Sequence, residues 1–301
     1  MRRRDFLKTS AAAGVAAALP ARLLAGPGTE APVRPLPAPA SGPIPVAFLI
    51  TEGAVLIDFA GPWEVFQDVY VPSRGKGMDD QMPFRLYTVS EKTEPVRISG
   101  GLQIVPDYAF ASAPPPKVVV IPAQRGGAAA VEWVRRVAGA ADVTMSVCTG
   151  AFLLAETGLL AGKAATTHHS AYKSFAMKYP DVVTKRGARF VDEGNLASAG
   201  GLTSGIDLAL HVVERYFGRE VATSTAYQLE YQGLGWKNAA SNAVYAKAMV
   251  STDAHPLCPV CEMEVEKASA PKSVYAGKTY YFCSDSHKES FDAAPTKWLA
   301  P

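Results

Sequence analysis

The chain has 301 residues, enough for one large domain and a small one, or for two medium ones. Apolar residues make up 48% of it and charged residues 19%, which excludes a disordered chain and allows a sizeable core. Without the first 25 residues, 25 basic and 27 acidic residues leave a net charge of −2, so the composition gives no electrostatic reason to expect a nucleic acid as partner.

The first residues have the pattern of an export signal. The string Arg3-Arg4-Asp5-Phe6-Leu7-Lys8 precedes an alanine-rich apolar stretch that ends at Leu19 and is too short to span a membrane. The string resembles a twin-arginine signal, which carries folded proteins across a membrane. We predict a signal peptide over residues 1–25, a mature protein without a membrane span, and a location in the periplasm or otherwise outside the cytoplasm.

Residues 26–43 are rich in proline, and we predict that they form a stiff, extended spacer rather than a packed element. Strands and helices then alternate over residues 44–233, which favours an α/β domain with a mostly parallel sheet. The predicted strands are Pro45–Ile50, Phe84–Val89, Val118–Ile121 and Val143–Val147. The predicted helices are Pro62–Gln67, Ala128–Val137, one that begins after Cys148, one that ends at Gly218, and Val221–Tyr231.

Cys148 stands where a predicted strand turns into a predicted helix. The positive end of the helix dipole and unpaired backbone N–H groups at this turn favour the thiolate, which is the reactive form of cysteine. A sharp turn of this kind also exposes a nucleophile above the sheet. Taken alone, a lone cysteine among apolar residues is more often a buried hydrophobic residue.

Three segments, in this order and spacing, resemble the ThiJ/PfpI superfamily of class I glutamine amidotransferase-like proteins. Within it they match the branch that contains isonitrile hydratases and the amidotransferase-like domains of certain regulators. The segments are Ile57-Asp58-Phe59-Ala60-Gly61-Pro62-Trp63-Glu64-Val65-Phe66, Ser146-Val147-Cys148-Thr149-Gly150-Ala151-Phe152 with the residues up to His168, and Ser198-Ala199-Gly200 with the residues up to His211. The regulators carry a further DNA-binding helical domain, whereas the end of this chain contains cysteines.

The resemblance implies that Cys148 is a nucleophile, with Thr149 beside it and Asp58 as an acidic proton partner. A carboxyl group close to a thiolate must be protonated or share a proton, so we expect burial to raise the pKa of Asp58. The alternative is that Asp58 caps the helix at Pro62. The family also places oxyanion donors at Gly126-Gly127, although Ala123-Gln124-Arg125 departs from the usual Pro-Gly-Gly. His168 stands where the family often has His-Trp, and it either orients the site or is structural.

We interpret residues 234–255 as a connector and residues 256–301 as a small metal-binding domain. Cys258-Pro259-Val260-Cys261 and Cys283-Ser284-Asp285-Ser286-His287 form two ligand pairs that can close a tetrahedral site. A hairpin around Ala276-Gly277 and a helix Lys288–Ala293 complete the module.

The segment resembles a YHS domain in which His287 replaces the usual last cysteine, so zinc is expected first, with copper or another soft metal as the alternative. A Cys258–Cys261 redox disulfide is a competing interpretation. A purely structural zinc site competes with metal sensing or delivery.

We therefore expect a flavodoxin-like α/β domain, with a mostly parallel sheet sandwiched by helices, joined to a small α+β metal-knuckle domain. The expected function is an exported thiol-dependent hydratase or hydrolase of isonitrile hydratase type that acts on a small molecule. No cofactor is expected for the main domain, and a homodimer is common in the family that the chain resembles. The alternative is a non-enzymatic periplasmic metal-binding or redox and stress-response protein.

Overall fold

A computed structural model describes residues 33–247 and 250–299, so the predicted signal peptide lies outside the described residues. The large domain contains eleven of the described strands. They are β1 (Ile44–Leu49), β2 (Phe84–Ser90), β3 (Val96–Arg97), β4 (Gln103–Ile104), β5 (Tyr108–Ala109), β6 (Val118–Ile121), β7 (Val143–Val147), β8 (Ala164–Ala165), β9 (Val183–Thr184), β10 (Phe190–Asp192) and β11 (Leu196–Ala199). Its helices are α1 (Leu56–Gln67), α2 (Met78–Gln81), α3 (Ala128–Ala138), α4 (Gly150–Glu156), α5 (Tyr172–Lys178), α6 (Ser204–Phe217) and α7 (Arg219–Gln228).

A seven-stranded sheet in the order β10-β11-β7-β6-β1-β2-β5 forms the centre of the large domain. All neighbouring strands run parallel except β10, which pairs antiparallel with β11. In β1, Val46 and Phe48 face the core formed with α1, α6 and α7, while Ala47 and Leu49 face the core formed with α3, α4 and α5. Because helices cover both faces, β1 and β6 are continuous apolar runs, and β7 is fully buried although it contains Thr144 and Ser146. The predicted mostly parallel α/β fold is confirmed.

The start of α1 differs from the prediction. The helix begins at Leu56, with Val55 as its N-cap, and Pro62 lies inside it rather than at its first turn. Asp58 therefore lies in the first turn and does not cap the helix, so the capping alternative is wrong. Gly61 allows the close packing of α1 on α6, because a Cβ atom at this position would lie 2.8 Å from Ile206 Cγ1.

The described part of the proline-rich segment, residues 33–43, forms no helix or strand and is mostly exposed, but hydrogen bonds attach it to the large domain. Arg215 Nε donates to the carbonyl of Arg34 at 2.8 Å, and the Leu36 N–H donates to the carbonyl of Arg215 at 2.8 Å. Arg74 donates to the carbonyls of Pro39 and Gly42. Proline lacks a backbone donor but keeps its carbonyl acceptor, so arginine side chains can still bind the backbone of a proline-rich segment.

Residues 234–247, which we call the connecting segment, also pack on the large domain instead of forming a free connector. Trp236 is buried in the core beside α6. The Arg189 N–H donates to the carbonyl of Ala239, and Asn242 is only 7% exposed. The residues that hold this segment to the large domain are distant in sequence and leave no local pattern. The composition of the segment therefore predicted a linker.

The C-terminal module consists of the antiparallel hairpin β12 (Lys272–Tyr275) and β13 (Lys278–Tyr281), followed by α8 (Asp285–Ala293) and α9 (Pro295–Leu299). The predicted hairpin is present, and the predicted helix begins three residues earlier. A small core formed by Val260, Val265, Phe282 and Phe291 holds these elements together. Among the described helices, none combines the length and the hydropathy needed to cross a membrane.

Candidate active site and metal centre

Cys148 occupies a tight turn between β7 and α4, with the left-handed φ of 58°. Its N–H donates to the carbonyl of Gly200 at 2.9 Å, and its carbonyl accepts a hydrogen bond from the buried Thr167 hydroxyl at 3.0 Å. Gly150 makes the turn feasible, because a Cβ atom there would lie 2.2 Å from the carbonyl oxygen of Ile121. A non-glycine residue in this conformation is unusual and persists only where its surroundings fix it. The turn resembles a nucleophile elbow.

Asp58 reaches the same place from the first turn of α1. It is fully buried, its Oδ2 accepts a hydrogen bond from the Ala123 N–H at 3.0 Å, and its side chain interacts with the Cys148 thiol. Asp58 and Cys148 are ninety residues apart in sequence, but both follow the carboxyl ends of central parallel strands, where the functional sites of α/β sheets usually lie. The structure therefore brings the two predicted partners together.

The two groups have perturbed pKa values that share one cause. Burial raises the pKa of Asp58 from 3.8 to about 6, although the hydrogen bonds from Ala123 and Cys148 oppose this. Burial, and then the charge of Asp58, raise the pKa of Cys148 to about 12, although the Thr149 and Leu202 N–H groups oppose this. The expected rise in the pKa of Asp58 is present, whereas the raised pKa of Cys148 opposes the thiolate that the helix dipole favours. Burial of Cys148, which is only 7% exposed, and the neighbouring carboxylate favour the protonated thiol.

The backbone donors at the sulfur are the N–H groups of Thr149 and Leu202, and the Thr149 hydroxyl also interacts with it. Sequence reasoning included Thr149 and missed Leu202. Leu202 has φ 51°, and this strained conformation next to Gly200-Gly201 directs its N–H at the thiol. The signal available in the sequence was the Gly-Gly pair just before α6.

Gly126 and Gly127, the predicted oxyanion donors, line a different concavity of about 350 Å³. Thr51, Glu52 and Lys92 also line it, whereas Cys148 and Asp58 do not. The loop before these glycines is held to the end of β1, because Thr51 donates both to the Gln124 side chain and to the Arg125 carbonyl, at 2.6 Å each. The residues that replace the usual Pro-Gly-Gly thus bind the loop elsewhere, and the structure gives no support to the predicted oxyanion donors.

His168 lies behind the sulfur site rather than on the sulfur. Its Nδ1 is 2.8 Å from the Ser170 hydroxyl, and its ring packs on the backbone of Gly201, where a Cβ atom would lie 2.3 Å from His168 Cδ2. Burial, and secondarily His169, lower the pKa of His168, so the ring is neutral at neutral pH. His168 therefore supports the loop that carries the Leu202 N–H.

The four predicted metal ligands form a compact cluster. One donor atom each from Cys258, Cys261, Cys283 and His287 lies within 4.8 Å of all the others. The Cys261 and Cys283 sulfurs are 3.5 Å apart, and the Cys283 sulfur is 3.2 Å from His287 Nδ1. Ligands of one tetrahedral zinc ion are separated by about 3.3–3.8 Å, so these donors fit the ion in spacing and in type.

Local structure builds this cluster. The hairpin delivers Cys283 to the Cys258–Cys261 turn, and Ser284 caps α8 by accepting a hydrogen bond from the His287 N–H at 3.3 Å. This cap places His287 one helical turn after Cys283, on the same side. The hydrogen bond from the Cys261 thiol lowers the pKa of Cys258, which favours the thiolate form that metal binding needs.

Comparison with known proteins agrees with both halves of the molecule. The sequence model of the DJ-1/PfpI family matches residues 45–215, more than half of the chain. The chain belongs to the DJ-1/PfpI family. A YHS domain matches residues 258–301, and a twin-arginine translocation signal matches residues 1–20, which indicates export through that pathway.

Two relatives illustrate the range of this DJ-1/PfpI family. The isonitrile hydratase of Pseudomonas putida is 31% identical over 197 residues, which cover 62% of this chain and 78% of the hydratase. The HTH-type transcriptional regulator GbdR of Pseudomonas aeruginosa is 26% identical over 195 residues, which cover 63% of this chain but only 51% of the regulator.

Solved structures show the same family fold. A THiJ/PfpI family protein from Pseudomonas syringae superposes with a TM-score of 0.56 at 26% identity, covering 65% of this chain and 78% of that one. Drosophila melanogaster DJ-1beta superposes with a TM-score of 0.53 over 64% of this chain and all of its own, at 19% identity, which shows the fold alone.

Proposed function

We propose that the mature protein is an exported thiol-dependent enzyme of isonitrile hydratase type, with Cys148 as nucleophile and Asp58 as proton partner. The observation that carries the proposal is the buried Asp58 carboxyl group in contact with the Cys148 thiol at a strained turn. The 31% identity to an isonitrile hydratase supports the choice of substrate class.

The state of the pair at neutral pH defines the chemistry. With a pKa of about 6, Asp58 is mostly ionised at pH 7 and lies beside a protonated thiol. Asp58 is therefore a general base that takes the proton as the sulfur attacks, and a pKa close to the working pH is suited to this role. The Thr149 and Leu202 N–H groups stabilise negative charge on the sulfur as it develops.

Hydration of an isonitrile then needs two steps. The sulfur bonds to the terminal carbon, and the thiol proton passes through Asp58 to that same carbon, which gives a thioimidate. Water next attacks this carbon, with Asp58 accepting a proton from it. The nitrogen gains a proton, the carbon–sulfur bond breaks, and the sulfur recovers its proton. One water is consumed, and the product is the N-substituted formamide.

The C-terminal module is proposed to bind zinc through Cys258, Cys261, Cys283 and His287. Four protein ligands complete the tetrahedral coordination of zinc, which is the arrangement of structural rather than catalytic sites. We assign no chemical step to this metal.

The test compares turnover of alkyl and aryl isonitriles by the zinc-loaded mature protein and by Cys148→Ser. We expect the variant to lose at least about 10³-fold in kcat/KM with unchanged zinc content. Asp58→Asn should lose about 10²–10⁴-fold, whereas Asp181→Asn, a matched change at an exposed aspartate, should not. Equal rates for wild type and Cys148→Ser would exclude the thiol mechanism.

The metal cluster favours one alternative, a non-enzymatic exported metal-binding protein in which Cys148 is a redox sensor or a further ligand. In that case Cys148→Ser would lower the amount of bound metal or change its spectrum, and isonitrile turnover would be at background in the wild type. Metal analysis of the same two proteins therefore separates the two functions.

A further inference from the structure

The connecting segment, residues 234–247, contacts the candidate thiol site on one side. Asn242 Nδ2 lies 3.4 Å from the Ser204 hydroxyl, and Asn242 packs on Gly200, where a Cβ atom would be only 2.8 Å from the same nitrogen. The carbonyl of Gly200 accepts the N–H of Cys148. Asn242 therefore lies directly behind the loop that fixes Cys148 and directs the Leu202 N–H at its sulfur.

A row of aromatic rings makes a second connection to the same loop. The Tyr245 ring stacks on His169 with a centroid distance of 4.7 Å and an interplanar angle of 12°. The His169 ring lies 4.2 Å from the His168 ring, which packs on Gly201. The connecting segment thus supports both Gly200 and Gly201.

On its other side, the end of the connecting segment is held by Arg186. Arg186 Nε donates to the carbonyl of Ala246 at 3.1 Å, while its NH2 group forms an ion pair with Glu262 of the metal module at 2.8 Å. Ala246 also packs so closely on Gly187 that a Cβ atom there would lie 2.6 Å from the Ala246 Cβ. Arg186 therefore joins the metal module to the segment that supports the thiol loop.

Glu262 belongs to the metal-binding turn itself. It directly follows Cys261, has the left-handed φ of 61°, and its N–H donates to the carbonyl of Cys258 at 2.8 Å. A metal ion that bridges Cys258 and Cys261 would fix this turn, and with it the direction of the Glu262 carboxylate. A second contact also joins the large domain to the module, from Lys173 Nζ to the carbonyl of Trp298 at 2.6 Å, but it lies outside this turn.

We propose that metal binding by the C-terminal module regulates the Cys148 site, through the Glu262–Arg186 ion pair and the connecting segment. The metal-bound turn holds Glu262, Glu262 holds Arg186 against Ala246, and the connecting segment then holds the loop of Gly200 to Leu202. The inference rests on the proposed function only in taking Cys148 as the reacting group. Loss of the metal loosens this loop and makes the buried thiol more accessible.

The experiment uses the mature full chain, loaded with zinc or treated with a zinc chelator. Iodoacetamide labelling of the Cys148 peptide, followed by mass spectrometry, measures access to the sulfur, and hydrogen exchange measures protection of residues 198–204. We expect zinc removal to accelerate Cys148 labelling at least about fivefold and to lower this protection. Equal labelling and equal protection with and without zinc would overturn the proposal.

Two variants test the route. In zinc-loaded Glu262→Gln, Cys148 should be labelled faster than in zinc-loaded wild type. Chelation of the zinc should then raise the labelling rate of this variant by less than about twofold. Glu289→Gln, which removes an exposed charge from α8, should behave as wild type. If Glu262→Gln binds less than one zinc, Arg186→Gln breaks the same pair from the other domain. If Cys148 in a zinc-loaded variant is labelled at the wild-type rate, the proposed route through the Glu262–Arg186 ion pair is refuted. Because neither readout needs turnover, failure of the isonitrile test leaves this result interpretable.

Discussion

The two cysteine sites of this chain place the same side chain in different surroundings. Cys148 is a single thiol whose partners come from α1 and the loop before α6, and burial raises its pKa to about 12. The C-terminal cysteines are grouped by short spacing, and the hydrogen bond from Cys261 lowers the pKa of Cys258. One site can control a proton during a reaction, whereas the other suits a permanently bound cation.

The large domain and the C-terminal module are also stabilised in different ways. The large domain has a buried sheet with a core on each face, and its strands need no ligand. The module has one small core of six buried residues around the cysteines. Few residues can supply only a small hydrophobic stabilisation, so the metal is expected to supply most of the rest.

Metal removal should produce the largest effect, and most of it should fall on the C-terminal module, with a smaller loss of protection at residues 198–204. Structural zinc contributes about 10–16 kcal/mol to the folding of small zinc peptides, so a chelator should unfold the module. Hydrogen exchange should then lose protection at β12, β13 and α8, while β1, β6 and β7 keep theirs. A module that stays protected after complete removal of the metal would contradict this difference between the two regions.

The stability of the large domain should depend on pH through Asp58. The folded-state pKa of Asp58 is raised from 3.8 to about 6, so the folded state binds the proton more tightly than the unfolded state. The free energy of unfolding therefore falls as the pH rises through this window, by up to about 3 kcal/mol above pH 6.

Asp58→Asn removes this cost, so it should raise the free energy of unfolding at pH 8 and have little effect near pH 4. Denaturant unfolding of the main domain at both pH values measures the difference, with Asp181→Asn as the control. A variant that is destabilised at pH 8 would show that Asp58 contributes to the fold as a carboxylate. The same variant should lose activity at pH 8, which would make this a site where function reduces stability.

Much of the fold could be predicted because its signals are local. The apolar runs of β1, β6 and β7 indicate strands buried on both faces, and the Cys258–Cys261 and Cys283–His287 spacings indicate a ligand cluster. The twin-arginine pattern was equally local, and the predicted export signal is confirmed. The proximity of Asp58 to Cys148 was expected from the family resemblance alone, since no local pattern joins residues so distant in sequence.

What could not be predicted depends on burial and on contacts that are distant in sequence. The helix dipole suggested a thiolate at Cys148, but the sequence does not show that Cys148 would be only 7% exposed. The docking of the connecting segment depends on Asn242 and Ala246 meeting Gly200 and Gly187, and such contacts leave no periodic pattern. The position of the Gly126 loop could not be predicted for a related reason, since Thr51, which follows β1, holds this loop.

The smallest predicted effect separates two neighbouring threonines that are both fully buried. The Thr167 hydroxyl donates to the carbonyl of Cys148, whereas the Thr166 hydroxyl has no hydrogen-bond partner among the described residues. Thr167→Val keeps the shape but leaves this carbonyl with only the long 3.5 Å hydrogen bond from the Ala151 N–H, which should lower the free energy of unfolding by about 1–2 kcal/mol. Thr166→Val removes an unpaired buried hydroxyl and should be neutral or stabilising.

Denaturant unfolding of the two variants side by side gives the difference, and Cys148 labelling reports whether the turn has moved. Because the left-handed conformation of Cys148 is strained, loss of the Thr167 hydrogen bond should also change the labelling rate, and only in Thr167→Val. Equal stability and equal labelling in the two variants would mean that the turn is fixed without Thr167, by the Cys148 N–H and the carbonyls of Ala199 and Gly200. The thiol site would then depend more on the loop that the connecting segment supports, which would make its coupling to the metal module stronger.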